Sequence, residues 1–163
     1  MKLMVSQNSP FNPIYDAWKC DSRQILPMDI DLARKQVEII DAKVLSNRKP
    51  PYPIAGGLYD ALKDSMGDVM IASNEKLREA SLFFEQTEGI DIHPAAGVAV
   101  ATLIEAVKDN LVEKEAVIML NITGGGEARF MAENKLFYLK PDYIFDFDPD
   151  PEYVKDKVEK LFT

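Results

Sequence analysis

The sequence predicts an α/β fold built on a partial doubly wound sheet whose strands are mainly parallel. Short apolar segments alternate along the chain with stretches whose apolar residues recur at helical spacing. This order is typical of parallel strands joined by helices. Residues 115–122 contain Ala-Val-Ile-Met-Leu, a continuous apolar run typical of a central parallel strand covered on both faces. The length of 163 residues suits one compact domain.

The first quarter of the chain predicts a strand, an irregular segment and a helix. Residues 2–6 form a short apolar strand that begins without a leading loop, so we expect further sequence upstream. Residues 7–27 are rich in proline, asparagine and aromatic residues, which favours an ordered irregular segment over a helix. Asp31 is then predicted to cap a helix that reaches about Leu45.

The middle of the chain predicts a loop followed by a helix, a strand and a second helix. Residues 46–53 contain three prolines and therefore form a loop. A short helix over residues 58–65 follows a glycine pair. Asp68–Ala72 carries a strand, and Ser73 or Asn74 caps the next helix.

Two further helices are predicted beyond this point. Pro94 occupies the first position of a helix that runs to Val107 and is apolar on nearly every face, so this helix is buried. Asp150 caps a last helix opened by Pro151. Residues 142–150 alternate acidic and aromatic side chains but lack the glycine and the closing glutamate of a calcium-binding loop. They predict an exposed strand edge, and no metal site is expected.

Composition narrows the class of protein. The formal net charge of −8 and the pI near 4.7 argue against nucleic-acid binding, which depends on clustered lysine and arginine. No apolar run approaches the ~20 residues that a bilayer-spanning helix needs. The single cysteine, Cys20, and the lack of a signal-peptide pattern make the cytoplasm the expected compartment.

The segment after the predicted strand at residues 115–122 is the candidate ligand site, because ligands gather beyond the carboxyl ends of strands in open α/β sheets. It contains Thr123 followed by Gly124, Gly125 and Gly126. Three interpretations compete. The glycine N–H groups form a phosphate nest; Thr123 bonds the ring nitrogen of a heteroaromatic cofactor while the glycines admit the ring; or the glycines serve a tight turn with positive φ. The phosphate signature is weak, because P-loop spacing is absent and no helix pattern follows.

Several blocks of sequence carry a resemblance to a known family. They are residues 7–11, 14–18, 46–52, 56–62, 88–96 and 120–126. Together they resemble the C-terminal part of the cysteate synthases, a threonine-synthase-like branch of the pyridoxal-phosphate enzymes of fold type II. The resemblance implies that residues 1–163 are one C-terminal fragment of the cofactor-binding domain.

The resemblance also implies roles for particular residues. Thr123 matches the residue that bonds the pyridine nitrogen of pyridoxal 5'-phosphate, with Gly124 and Gly125 beside the ring and Glu88 near it. No catalytic residue is expected in this chain, because the Schiff-base lysine and the Gly-rich phosphate cup precede this region in the family. Independently, the guanidinium of Arg48 in its proline-bounded loop suits a substrate phosphate or sulfite.

The implied activity is replacement of the phosphate of O-phosphoserine by sulfite, with a small amino-acid phosphate as substrate and a homo-oligomer as the complete enzyme. A threonine synthase fragment and a non-catalytic standalone binding module are the alternatives. Among the remaining reactive residues, His93 precedes Pro94 at a predicted helix start, which favours a capping or surface role over acid–base catalysis. Cys20 and Lys49 are predicted to be an inert side chain and a solvated loop lysine.

Overall fold

A computed structural model describes residues 1–162, and it has an α/β architecture with two parallel strands and seven α-helices in that range. Strand β1 (Met4–Asn8) pairs with β2 (Asp68–Ala72) in a register that aligns Met4 with Asp68 and Asn8 with Ala72. The helices are α1 (Pro13–Lys19), α2 (Ile30–Ile39), α3 (Leu58–Asp64), α4 (Asn74–Glu88), α5 (Pro94–Lys108), α6 (Glu127–Glu133) and α7 (Pro151–Glu159).

Most of the predicted helix boundaries are confirmed, because local capping signals set them. The hydroxyl of Ser73 accepts a hydrogen bond from the Lys76 N–H at the start of α4, and Gly89 ends that helix with φ 75°. Pro94 is the first residue of α5, whose buried residues include Val98 and Val100. Helix α3 and strand β2 lie where the sequence predicts them.

The region before α3 differs from the prediction in two places. Residues 7–27 contain α1, because Pro13 needs no hydrogen bond at the first helical position and the Gln7 Oε1 atom accepts from the N–H groups of Ile14 and Tyr15, both at 2.9 Å. The next helix is capped by Asp29 rather than Asp31 and ends at Ile39. The predicted continuation toward Leu45 is a separate 3-10 turn, Lys43–Leu45.

Two predicted strands are wrong. Residues 115–122 form no strand, and Val117 and Met119 are 100% and 89% exposed. A strand requires a hydrogen-bonded neighbour, and no segment of residues 1–162 lies alongside this one in a ladder. Residues 142–150 likewise form a loop, which leads to α7.

Helices cover both faces of the two-stranded sheet, as parallel strands require. On one face, Val5 and Val69 belong to an apolar cluster with Ala17 of α1 and Leu62 of α3. On the other face, the Ser6 and Thr102 hydroxyls are 2.6 Å apart, which joins β1 to α5. The apolar contacts of α4 with α5 form the largest buried cluster beside this face.

The buried side chain of Asn8 links the carboxyl ends of both strands to the segment after α2. Asn8 is 0% exposed. Its Nδ2 atom donates to the Ala72 carbonyl at 2.9 Å, and its Oδ1 atom accepts from the Ala42 N–H at 3.0 Å. Two backbone groups in the interior are therefore satisfied by one amide.

The chain divides into two compact units, Met1–Glu133 and a second unit that starts at Asn134. The Asp150 carboxylate accepts from the Tyr153 N–H at 3.3 Å and caps α7, which confirms the predicted helix start. The Phe145 ring meets the Tyr153 ring edge-on at 6.0 Å. No helix within residues 1–162 is both long and apolar enough to span a bilayer.

Replacing Asn8 tests its role in the interior. Asn8→Ala is expected to lower the free energy of unfolding by about 2–4 kcal/mol, because a buried acceptor and a buried donor lose their partner. Urea unfolding followed by circular dichroism measures the change. Asn47→Ala is the matched control, since the exposed Asn47 amide bonds only the Lys49 N–H among residues 1–162, and a change within about 0.5 kcal/mol is expected there. Equal losses in both variants would contradict the role of Asn8.

Candidate functional site

The glycine loop (residues 123–126) lies against the segment that joins α4 to α5. The His93 N–H donates to the Gly124 carbonyl at 2.9 Å, and the Gly126 N–H donates to the Asp91 carbonyl at 2.8 Å. Between these bonds, Ile92 and Gly125 form an isolated antiparallel bridge. The loop is therefore held by backbone pairing at two of its three glycines.

Close packing explains why glycines occupy this loop. A Cβ atom at Gly125 would lie 2.4 Å from the Asp91 carbonyl oxygen, and one at Gly124 would lie 3.1 Å from the His93 Cβ. Gly126 has φ +75°, which other residues adopt at a cost. The turn interpretation of the triplet thus has a structural basis, and the glycine faces without side chains are turned toward the protein.

Helix α6 begins directly after the triplet, so the expectation that no helix follows is wrong. The backbone N–H groups at the amino end of α6 are capped by the side chain of Asp91. The Asp91 carboxylate accepts from the Ala128 N–H at 3.0 Å and from the Arg129 N–H at 3.5 Å. The bond from Ala128 lowers the pKa of Asp91 below its ordinary value. A carboxylate at this position occupies the donors that a phosphate nest would use, which disfavours the phosphate interpretation.

Thr123 is exposed, and it follows a stretch of chain that is only partly buried. Leu120 and Ile122 pack against the main apolar cluster, and they fix the approach to the loop. The Thr123 hydroxyl and the N–H groups of Gly124 and Gly125 make no hydrogen bond within residues 1–162. One hydroxyl and two backbone donors at the end of an anchored segment are therefore available to a ligand.

Glu88 lies two residues before Ile90, whose side chain contacts the glycine loop. It is the last residue of α4, is exposed, and precedes Gly89 in the left-handed conformation. The Ile90 side chain reaches the loop, because its Cδ1 atom lies 3.5 Å from the position of a Cβ on Gly126. The turn that begins at Glu88 and the glycine loop are thus neighbours.

Arg48 is exposed in a loop whose two ends are anchored. Leu45 packs against the same cluster as Leu120 and Ile122. At the other end, Tyr52 is 0% exposed and its hydroxyl donates to the Ser22 carbonyl at 3.0 Å. Burial raises the pKa of Tyr52 to about 12, so this phenol stays protonated as a donor.

The structure does not join Arg48 to the glycine loop by a hydrogen bond or an ion pair within the described part of the chain. Arg48 also has no acidic partner there. Its guanidinium therefore has five donors that no described side chain uses.

His93 confirms the predicted capping role. Its Nδ1 atom accepts from the Ala95 N–H at 3.2 Å at the start of α5. Asp91, two residues earlier, is the functional neighbour that sequence reasoning missed. It caps a helix 36 residues further along the chain, so no local pattern reveals it.

Gly125→Ala is expected to release the glycine loop from its backbone partners, because the new methyl group would clash with the Asp91 carbonyl. The clash should destabilise the paired loop by about 1–3 kcal/mol. Amide hydrogen exchange at His93 and Gly126 measures the release, and it should accelerate about tenfold or more. Gly124→Ala is the milder control, since its closest contact is a side-chain carbon. Unchanged exchange in Gly125→Ala would contradict the packing role.

The Asp91 cap predicts a pH dependence. A carboxylate whose pKa is lowered in the folded state stabilises the fold above its unfolded pKa, and this contribution is lost as the pH falls through the folded pKa. The melting temperature of the wild-type chain should therefore exceed that of Asp91→Asn at neutral pH. The difference should shrink below about pH 3.9.

A matched variant, Asp64→Asn, removes a negative charge from an exposed carboxylate outside the loop. Its melting temperature is expected to follow the wild type across the same pH range. A difference between wild type and Asp91→Asn that stays constant down to about pH 2 would refute the capping contribution of the charge.

The sequence of this chain is similar to those of several cysteate synthases. No protein-family model matches the chain. It is 49% identical over 143 residues to the cysteate synthase of Methanosarcina mazei, which covers 86% of this chain and 34% of the relative. It is 47% identical over 141 residues to the cysteate synthase of Methanocella paludicola, with 33% of that relative covered.

A third cysteate synthase, from Methanocella arvoryzae, is 42% identical over 163 residues, which is 99% of this chain and 38% of the relative. The chain thus spans about a third of the length of the curated relatives it matches. These matches confirm the resemblance that the sequence blocks predict, and the chain is similar to cysteate synthases in the manner of a C-terminal fragment.

Proposed function

We propose that this chain is the C-terminal portion of a pyridoxal-phosphate-dependent β-replacement enzyme that converts O-phosphoserine and sulfite into cysteate and phosphate. The similarity to three cysteate synthases supports the reaction class. The observation that carries the proposal is the Thr123 hydroxyl, which is exposed and has no hydrogen-bond partner within residues 1–162. It directly follows a stretch of chain that Leu120 and Ile122 anchor to the main apolar cluster.

Thr123, Gly124 and Gly125 fit the flat, polar ring of pyridoxal phosphate. Thr123 offers a hydroxyl that either donates or accepts, and the N–H groups of Gly124 and Gly125 add two unused donors. Backbone pairing with Asp91 and His93 keeps these groups in place. We assign Thr123, Gly124 and Gly125 to the cofactor on this basis, and Glu88 to the edge of the same site.

When bound, pyridoxal phosphate supplies an electron sink that makes replacement at the β-carbon of an amino acid accessible. Thr123 would hold the pyridine nitrogen through a neutral hydroxyl. A neutral partner would leave that nitrogen largely unprotonated, because it lacks the negative charge with which a carboxylate stabilises a protonated ring nitrogen. Thr123 would therefore moderate the electron sink, which suits β-replacement.

Arg48 binds the anionic end of the substrate in this proposal. Its guanidinium is exposed and unpaired within the described residues, and planar donors match phosphate and sulfite oxygens. The anchors at Leu45 and Tyr52 hold the loop that presents it. A loop fixed at both ends restricts where the charge can lie.

The lysine that would bind the cofactor covalently and the phosphate cup belong, in this proposal, to the part of the enzyme that this chain does not match. The chain alone is then inactive, and residues 1–163 act as one fragment of the cofactor-binding domain of a fold type II enzyme. A cytoplasmic location and a homo-oligomeric complete enzyme complete the proposal.

A chimaera tests the function. The matching third of the Methanosarcina mazei cysteate synthase is replaced by this chain, and formation of cysteate from O-phosphoserine and sulfite is measured. Cysteate formation is expected, whereas product from O-phosphohomoserine instead would favour the threonine synthase alternative. A chimaera that folds and binds pyridoxal phosphate but acts on neither substrate would refute the proposed reaction.

Thr123→Ala in the chimaera is expected to lower kcat/KM about tenfold or more, because a lost hydrogen bond that leaves its partner unsatisfied costs ~1–3 kcal/mol. Thr123→Ser keeps the hydroxyl and should retain most of the activity. The absorption spectrum of the bound cofactor is an independent measurement, and it should change in the alanine variant but not in the serine variant. Identical spectra and rates in all three proteins would exclude Thr123 from the cofactor site.

A further inference from the structure

Asp91 binds the chain that follows Thr123 in two different ways. Its carbonyl oxygen accepts a hydrogen bond from the Gly126 N–H at 2.8 Å. Its carboxylate accepts from the Ala128 N–H at 3.0 Å and from the Arg129 N–H at 3.5 Å. The backbone of Asp91 therefore fixes the end of the glycine loop, and its side chain fixes the first turn of α6.

The position of Thr123 depends on its neighbours in the chain. The Thr123 side chain makes no hydrogen bond within residues 1–162. Before it, Ile122 packs on the main apolar cluster. After it, the His93 N–H donates to the Gly124 carbonyl at 2.9 Å, and Asp91 holds the end of the loop. Thr123 thus lies between two anchors, and Asp91 belongs to the second of them.

The Asp91 cap differs from the other aspartate caps of the chain in the distance along the sequence that it spans. The Asp29 carboxylate accepts from the Leu32 N–H at 2.8 Å, three residues further on, and so stabilises the start of its own helix. The Asp91 carboxylate bonds a residue 37 positions further on. It therefore ties α6 to the turn between α4 and α5, with the glycine loop between the two tied elements.

The bonds of the Asp91 carboxylate are those of a charged group. The Ala128 N–H lowers the pKa of Asp91 below its ordinary value, and the Arg129 N–H adds to this effect. The carboxylate is accordingly ionised at neutral pH, and hydrogen bonds to an ionised acceptor are stronger than those between neutral groups. The tie between α6 and the α4–α5 turn is therefore present under the conditions in which an enzyme of this kind works.

A small displacement of the loop is enough to matter for a ligand. The groups available to a cofactor are the Thr123 hydroxyl and the N–H groups of Gly124 and Gly125. Binding groups must lie within about 0.5 Å of the productive geometry, and a misplacement of about 1 Å can cost a large factor in rate. A residue that fixes the loop without touching the ligand can therefore control the site.

We propose that Asp91 is a positioning residue of the cofactor site, because its carboxylate holds α6 against the α4–α5 turn and thereby sets where the Thr123 hydroxyl lies. The proposal rests on the proposed function. Asp91 makes no contact with the cofactor in it and acts through Thr123, Gly124 and Gly125.

Amide hydrogen exchange in the full chain tests the structural part of the proposal. Asp91→Ala removes the carboxylate and keeps the carbonyl, and it is expected to accelerate exchange at Gly126 about tenfold or more because α6 no longer holds the loop. Asp29→Ala is the matched control, since it removes an aspartate cap from another helix. Circular dichroism checks that both variants fold. Unchanged exchange at Gly126 in Asp91→Ala, or equal acceleration in both variants, would overturn the positioning role.

A double-mutant cycle in the chimaera tests whether Asp91 acts through Thr123. Asp91→Ala is expected to lower kcat/KM about tenfold when Thr123 is present, and less than about twofold in the Thr123→Ala background. The second loss is small because a positioning residue has no effect once the group that it positions is gone. Losses of equal size in the two backgrounds would show that Asp91 acts independently of Thr123 and would refute the proposal.

The absorption spectrum of the bound cofactor separates positioning from a general loss of stability. The spectrum of the Asp91→Ala chimaera should change in the same direction as that of Thr123→Ala, whereas Asp29→Ala should leave it unchanged. Asp91→Asn keeps one acceptor oxygen and should lose only about threefold in kcat/KM. A wild-type spectrum in a folded Asp91→Ala chimaera would contradict the proposal.

The outcome is distinguishable from failure of the proposed function. A chimaera that folds, binds pyridoxal phosphate and forms no product removes the proposed function, and the positioning role falls with it. An active chimaera in which the losses from Asp91→Ala and Thr123→Ala are additive removes the positioning role alone and leaves the proposed function standing.

Discussion

The amide of Asn8 is the constraint on which the positions of the other elements depend. It binds Ala72 at the end of the neighbouring strand and Ala42 after α2, and it does so with no exposure to solvent. The turn that follows Ala42 delivers Leu45 to the apolar cluster that also holds Leu120 and Ile122. The anchoring of the glycine loop thus traces back to one buried side chain in a strand far from it in sequence.

The glycine loop satisfies two requirements at once. Gly125 and Gly126 are needed for close approach and for positive φ against residues 91–93, so these glycines have a structural explanation without any ligand. What the loop offers to a ligand is the Thr123 hydroxyl and backbone donors. A residue type can therefore be required by the fold while its backbone serves the site.

Features encoded within a few residues could be predicted from the sequence. Ser73, Pro94 and Asp150 begin helices as expected, because a cap acts on N–H groups two or three positions away. The strand predicted at residues 115–122 is wrong, since no segment within residues 1–162 pairs with it. The Asp91 cap was missed for a related reason, because it acts across a long stretch of sequence.

The pairing of the glycine loop with residues 91–93 reduces the entropy cost of binding a ligand at Thr123. Because the Gly124 carbonyl and the Gly126 N–H are already engaged, little backbone freedom is left for a ligand to remove at Thr123. The same bonds run to His93, which caps α5. Movement of Thr123 away from its position would therefore disturb the bonds at the start of α5, a helix with seven buried residues.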